Sequence, residues 1–111
     1  MKGTSPTQNT LKYYRKLGYT CQVVEHWNSF IQRRQDLWGF CDILALKENE
    51  TICIQACIRD DTAKRTHKIE AHKNYPIIKS AGWKVIVIGW KKFLVKKGGK
   101  ATRWTEKIVE L

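Results

Sequence analysis

In the stretch DLWGFCDILALKENETICIQAC, residues 36–57, two runs rich in β-branched and aliphatic residues (40–47 and 50–57) flank the polar pair Glu48-Asn49. That pattern predicts a β-hairpin with a two-residue loop, in which Asn49 supplies the positive φ such a loop demands. The loop then pairs Lys47 with Glu50 and sets Asp42 opposite Gln55. Directly opposed residues share a face with their Cβ atoms about 4.5 to 5.5 Å apart. Side chains alternate along a strand, so Cys53, Gln55 and Cys57 share one face and Ile52, Ile54 and Ala56 the other. A longer, bulged loop would change this parity.

Outward from the hairpin, residues 7–17 read as an amphipathic helix. Ser5 and Pro6 precede it, Leu11, Tyr14 and Leu17 recur at three-residue steps, and Gly18 ends it. Residues 19–27 (YTCQVVEHW) read as the first strand, and residues 28–39 as a polar, basic loop with at most a helical turn. Residues 62–82 read as helical between Thr62 and Gly82, broken into two pieces at Pro76, which cannot continue an interior turn without cost. Residues 83–90 (WKVIVIGW) are nearly all apolar, as suits a central strand covered on both faces. A basic loop, 91–101, and a last strand, 102–110, complete the order α-β-β-β-α-β-β.

A chain of 111 residues supports one modest core, so residues 1–111 are expected to form one domain of α/β class, a central mixed sheet flanked by helices. With 21 Lys and Arg against 10 Asp and Glu, the net charge of +11 favours a polyanionic partner, nucleic acid first. Most of that charge falls in the second half, where residues 58–111 carry 14 basic and 5 acidic side chains. No apolar run approaches the length of a spanning helix, and residues 1–10 have no signal-peptide core, so an intracellular, soluble protein is expected. The four cysteines, Cys21, Cys41, Cys53 and Cys57, form no C-x-x-C pair. They are expected as reduced strand residues without zinc.

The element order, with GFCDILAL, ICIQAC and AKRTHKI in sequence, resembles the restriction-endonuclease-like core of the PD-(D/E)XK nuclease superfamily. The likeness is strongest to its small Holliday-junction-resolvase-like and phage-type members. The resemblance implies a metal-dependent DNA endonuclease using Mg²⁺ or Mn²⁺, often a homodimer, acting on duplex or branched DNA. Asp42 stands at the first acidic position of the motif, Gln55 where a Glu or Asp usually stands, and Cys57 where the lysine usually stands. A glutamine carbonyl is a hard oxygen ligand without charge. Glu25 and Asp36 could supply the charge it lacks, so Asp42, Gln55 and Glu25 are the candidate metal ligands. Lys68 looks like the motif's lysine moved from strand to helix, ahead of Lys64 and Arg65. Its expected role is to orient a water or stabilise charge on phosphate.

Each assignment has a plainer alternative. Asp42 could cap a strand end through backbone amides, Gln55 could be an amide bonded at a sheet edge, and the stripe Lys64, Lys68, His72 could contact only the DNA backbone or solvent. His26 and His67 lack paired spacing and read as exposed or DNA-facing, while Trp27 and Trp38 are candidates to line a polar cleft. Arg33, Arg34, Lys64, Arg65, Lys91, Lys92, Lys96 and Lys97 are candidate nucleic-acid contacts. Two functional readings therefore stand beside the enzyme: a catalytically inactive DNA-binding module of the same fold, and, last, a protein-binding adaptor.

Overall fold

The structure is a computed structural model describing residues 5–111, without the side chain of Arg34. The elements are α1 (Pro6–Lys16), β1 (Thr20–Val23), β2 (His26–Asn28), β3 (Arg33–Gln35), β4 (Ile43–Lys47), β5 (Glu50–Ile58), α2 (Thr62–Glu70), α3 (Tyr75–Ser80), β6 (Lys84–Leu94) and β7 (Thr102–Glu110). A short 3-10 turn, Arg59–Asp61, leads from β5 into α2.

Helix α1 begins as its sequence dictates. The Ser5 hydroxyl accepts from Gln8 N at 3.1 Å, and Pro6 occupies the first turn, where its missing N–H costs nothing. Gly18, at φ +96°, ends the segment in a conformation that only glycine adopts freely.

The main sheet is mixed, in the order β1-β4-β5-β6-β7, with β5 and β6 parallel and all other neighbours antiparallel. A parallel pair cannot be joined by a tight turn, and α2 and α3 supply the crossover. Both faces are covered. Leu11 and Tyr14 of α1 pack on Ile43, Ala45, Ile52, Ile54, Ile86 and Ile88. On the opposite face Ile69 of α2 and Ile78 of α3 pack on Cys53, Cys57, Val85 and Val87. The alternation along β5 thus delivers its even-numbered residues to α1 and its odd-numbered residues to α2 and α3.

The hairpin register is the expected one, with Lys47 paired to Glu50 and Ile43 to Ile54. The positive φ, however, falls on Glu48 at +53° and not on Asn49, because the left-handed residue of this turn is its first.

Three other expectations change. The first strand stops at Val23, and residues 26–35, expected to be strand end and loop, form a separate antiparallel hairpin pairing His26 with Gln35 and Asn28 with Arg33. The observed order therefore carries one hairpin more than α-β-β-β-α-β-β, and its helical segment is divided in two, but at residues 71–74, with Pro76 in the first turn of α3 where its missing N–H costs little. Strand β6 does not end at Trp90: it runs to Leu94, pairing Lys91 with Thr105 and Leu94 with Thr102, so Lys91 and Lys92 lie on a strand. Helix α2 closes at Glu70, which removes His72 from the stripe of Lys64 and Lys68. His72 instead packs edge-on to Phe40, with ring centroids 5.3 Å apart, and accepts from Asn74 N.

All four cysteines are buried and unbridged. Among the described residues, no helix is long and apolar enough to cross a membrane.

Candidate metal centre

Strand β4 begins at Ile43, one residue after Asp42, while β5 continues past that point to Ile58. The Ala56 N–H lies beyond the end of β4, and its partner is the Asp42 carboxylate, which accepts at Oδ2 over 3.0 Å. Gln55 Nε2 donates to the same oxygen over 2.9 Å. The opposition expected from the register therefore exists, and both side chains are buried. Gln55 sits in the third strand of five, so an edge position does not explain its amide. The backbone-capping role considered for Asp42 is present, but it engages only one of the two carboxylate oxygens.

Two further acids close on that carboxylate. Glu25 immediately precedes β2 and Asp36 immediately follows β3, so the small hairpin brings both of its ends to the same place. One oxygen from each of Glu25, Asp36 and Asp42 lies within 4.8 Å of the others, and this group could hold a metal ion. Around one octahedral Mg²⁺ at about 2.1 Å, neighbouring oxygens stand about 3.0 Å apart and opposite ones about 4.2 Å, so the cluster closes on such an ion with side-chain movements on the order of an ångström.

The electrostatics agree with an anionic centre. Burial pushes the Asp42 carboxyl up to about 7, and the charges of Asp36 and then Glu25 add to the effect, against the lowering influence of the Ala56 and Gln55 hydrogen bonds. A divalent cation would reverse this balance by replacing repulsion with attraction.

The carboxylates border two openings. A cavity of about 380 Å³ is lined by Glu25, Asp36, Asp42, Gln55, Cys57 and Arg65, among others. A groove of about 1010 Å³ on the other side of Glu25 and Asp36 is lined by residues including His26, Arg33, Gln35, Trp38 and Lys68. Arg65 is thus the helix cation beside Asp42 and Gln55, while Lys68 faces the neighbouring groove. Lys64 is exposed on α2 and lines neither.

Cys57, expected at the position of the lysine in the motif this chain resembles, is buried, and burial pushes its thiol up to about 11, with Arg65 opposing. It carries no charge near neutral pH. His67 is exposed, and its Nδ1 lies 4.0 Å from Glu70. Trp38 reaches the groove; Trp27 does not line it and is 60% exposed.

The candidate nucleic-acid contacts divide by position. Arg33 enters the groove, and the side chain of Arg34 lies outside the described residues. Because β5 and β6 run parallel with Ile58 beside Trp90, the extension of β6 carrying Lys91 and Lys92 projects past the end of β5 where the acids lie. Phe93 on that extension sits under the Arg59 guanidinium at 5.6 Å. Lys96 and Lys97 are exposed in the following loop.

The sequence pointed to Asp42, Gln55 and Glu25. It ranked Asp36 only as a source of charge, and Arg65 behind Lys68. Asp36 left no local signal, because the strands that carry it to the site, HWN and RRQ, are three residues long and mostly polar. No protein-family model, curated protein or solved structure matches this chain.

Proposed function

We propose that this protein is a metal-dependent DNA endonuclease of restriction-endonuclease-like fold, hydrolysing phosphodiesters with Mg²⁺ or Mn²⁺ held by Asp42, Glu25 and Asp36. The observation that carries the reading is the convergence of three carboxylates within 4.8 Å at the mouth of the central hairpin, on a chain of net charge +11. So many anions gather at one point of a basic protein at a cost in repulsion that a cation would offset. The topology also supports it: a helix, antiparallel β1-β4-β5, helical crossover and a parallel strand follow the superfamily's plan, with β2–β3 inserted.

In this reading Asp42 is the central ligand. Gln55 is its positioning residue, since its amide donates to Oδ2 and leaves Oδ1 to face a cation. The negative charge that position 55 lacks comes from Glu25 and Asp36. A bound divalent cation would supply a hydroxide-like water near neutral pH and neutralise developing charge on phosphate. Arg65, in the same cavity, stabilises the phosphate, and Lys68 guides the strand through the adjoining groove. Arg33 and the lysines of the β6 extension take phosphates to either side.

A second reading, a DNA-binding module of the same fold without catalysis, is favoured by one specific observation. The lysine position is held by Cys57, whose buried neutral thiol cannot stabilise an anionic transition state.

Incubation with supercoiled, linear, single-stranded and four-way-junction DNA, with and without Mn²⁺, separates them. Metal-dependent cuts that vanish in Asp42→Ala support the nuclease. Salt-sensitive binding with no cuts under Mg²⁺ or Mn²⁺ leaves the binding module.

A further inference from the structure

The hairpin that brings Glu25 and Asp36 together has an apolar tip. Phe30 is 97% exposed, and Ile31 beside it and Trp27 below it are also exposed. Single exposed apolar residues are ordinary, but three on one ten-residue hairpin are not. The hairpin packs chiefly on itself, standing away from the main sheet.

The tip is nevertheless built. The Asn28 side-chain carbonyl accepts from Phe30 N at 2.9 Å and Ile31 N at 3.4 Å, and its amide donates to Gln35 Oε1 at 2.8 Å. Gln32, at φ +51°, completes the reversal. The side chain of Asn28 thus fixes the backbone that presents the phenyl ring to solvent.

One flank is basic: residues 26–35 contain two arginines, both on β3, and no acid. Paired residues share a face, so His26, Asn28, Arg33 and Gln35 point one way, and three of them line the groove leading to the carboxylates. An apolar point beside a cationic strand is the chemistry that enters a base stack: the ring replaces a base neighbour while an arginine takes a phosphate.

We propose that the β2–β3 hairpin is a wedge whose Phe30 inserts into the base stack of DNA at a branch point, while the groove beneath leads one strand to the carboxylates. This rests on the nucleic-acid reading above and specifies the DNA feature recognised. Phe30 lies in the turn of the hairpin, five residues from Glu25, so the two are at most roughly 16 Å apart. At about 3.4 Å per base step, the scissile phosphate lies within about five nucleotides of the branch.

The test uses the full chain without divalent metal and a synthetic four-way junction with 2-aminopurine at the branch, beside a duplex of equal length. Binding of the wild type is expected to raise the branch-point fluorescence, signalling unstacking. In Phe30→Ala the rise is lost and the preference for junction over duplex falls about tenfold, as loss of one stacking contact predicts, while Phe30→Trp restores both. The tip is exposed, so equal melting temperatures establish that each variant is folded. A wild type that binds neither DNA removes the nucleic-acid reading itself, and the wedge with it. A Phe30→Ala protein that keeps the fluorescence rise and the junction preference overturns the wedge alone. Phe30-dependent self-association in sedimentation without any fluorescence rise overturns it in favour of a protein contact.

Discussion

The Gln55 side-chain amide donates to Oδ2 of Asp42 over 2.9 Å, inside the sheet and directly beyond the last ladder pair of β4 and β5. In the proposed site that bond gives the two residues different work: the carboxylate would be available to a cation, and the amide would aim it. Replacing Gln55 by Glu sets a fourth carboxyl group beside the three acids and removes the donor. Without metal, Gln55→Glu is expected to melt below the wild type. With Mn²⁺ it should gain more melting temperature than the wild type gains, because the added ligand carries charge. Calorimetric melting of both proteins with and without Mn²⁺ checks this; equal metal-induced shifts would exclude position 55 from the site.

The titration of Asp42 sets a second expectation. Its carboxyl is raised from 3.8 to about 7 in the folded protein, so between roughly pH 4 and 7 the folded state holds a proton that the unfolded state has lost. This group therefore contributes stability at low pH that is lost as pH rises through about 7, a change on the order of a few kcal/mol. Asp42→Asn removes that dependence, so the stability difference between variant and wild type should grow with pH across this window and level off above it. Metal binding has the opposite slope, since the cation needs the carboxylate. Mn²⁺ affinity should rise from pH 6 to 8 with release of a proton. Denaturant melts at several pH values and metal titrations by calorimetry give both slopes.

Much of this arrangement was legible. The hairpin register followed from a two-residue turn, and the register alone put Asp42 against Gln55. The nearly all-apolar run of residues 83–90 announced a central strand, and residues 85–90 are buried. What escaped has physical reasons. Lys91 and Lys92 look like loop residues, yet their ammonium groups sit over the aromatic rings of Phe93 and Trp104, and the strand continues through them. The β2–β3 hairpin has strands of three residues with no buried alternation to reveal them, so Asp36 could not be brought to Asp42 by local pattern. Arg65 against Lys68 is a question of helix phase and depth, which depends on where α2 docks.

Arg65 and Lys68 accordingly test differently. Arg65 shares the cavity of Asp42, so Arg65→Ala is expected to lower the rate of cleavage by about tenfold to a hundredfold with little change in DNA affinity. Lys68 faces the groove, so Lys68→Ala should weaken binding and its salt dependence while the rate at saturating DNA stays close to that of the wild type. Single-turnover kinetics at saturating and sub-saturating enzyme divide the two effects. A Lys68→Ala rate falling as far as that of Arg65→Ala would return the catalytic cation to Lys68.

A fourth prediction concerns the scaffold. Gly89 faces the turn that leads into α2. A Cβ there would overlap the Thr62 methyl group and stand 2.8 Å from Arg59 Cα, where backbone cannot yield as a flexible side chain does. Gly89→Ala should therefore cost about 1 to 3 kcal/mol. It should also displace the start of α2, and with it Arg65, relative to Asp42. Glu48→Gly, at the positive φ of the hairpin loop and remote from α2, should instead be stabilising by up to about 1 kcal/mol. Denaturant unfolding of the two variants checks the signs. Cleavage by each supplies the functional half: activity is expected to fall in Gly89→Ala beyond what its unfolded fraction explains, and to be kept in Glu48→Gly, because only the first change moves the element that carries the cation of the site.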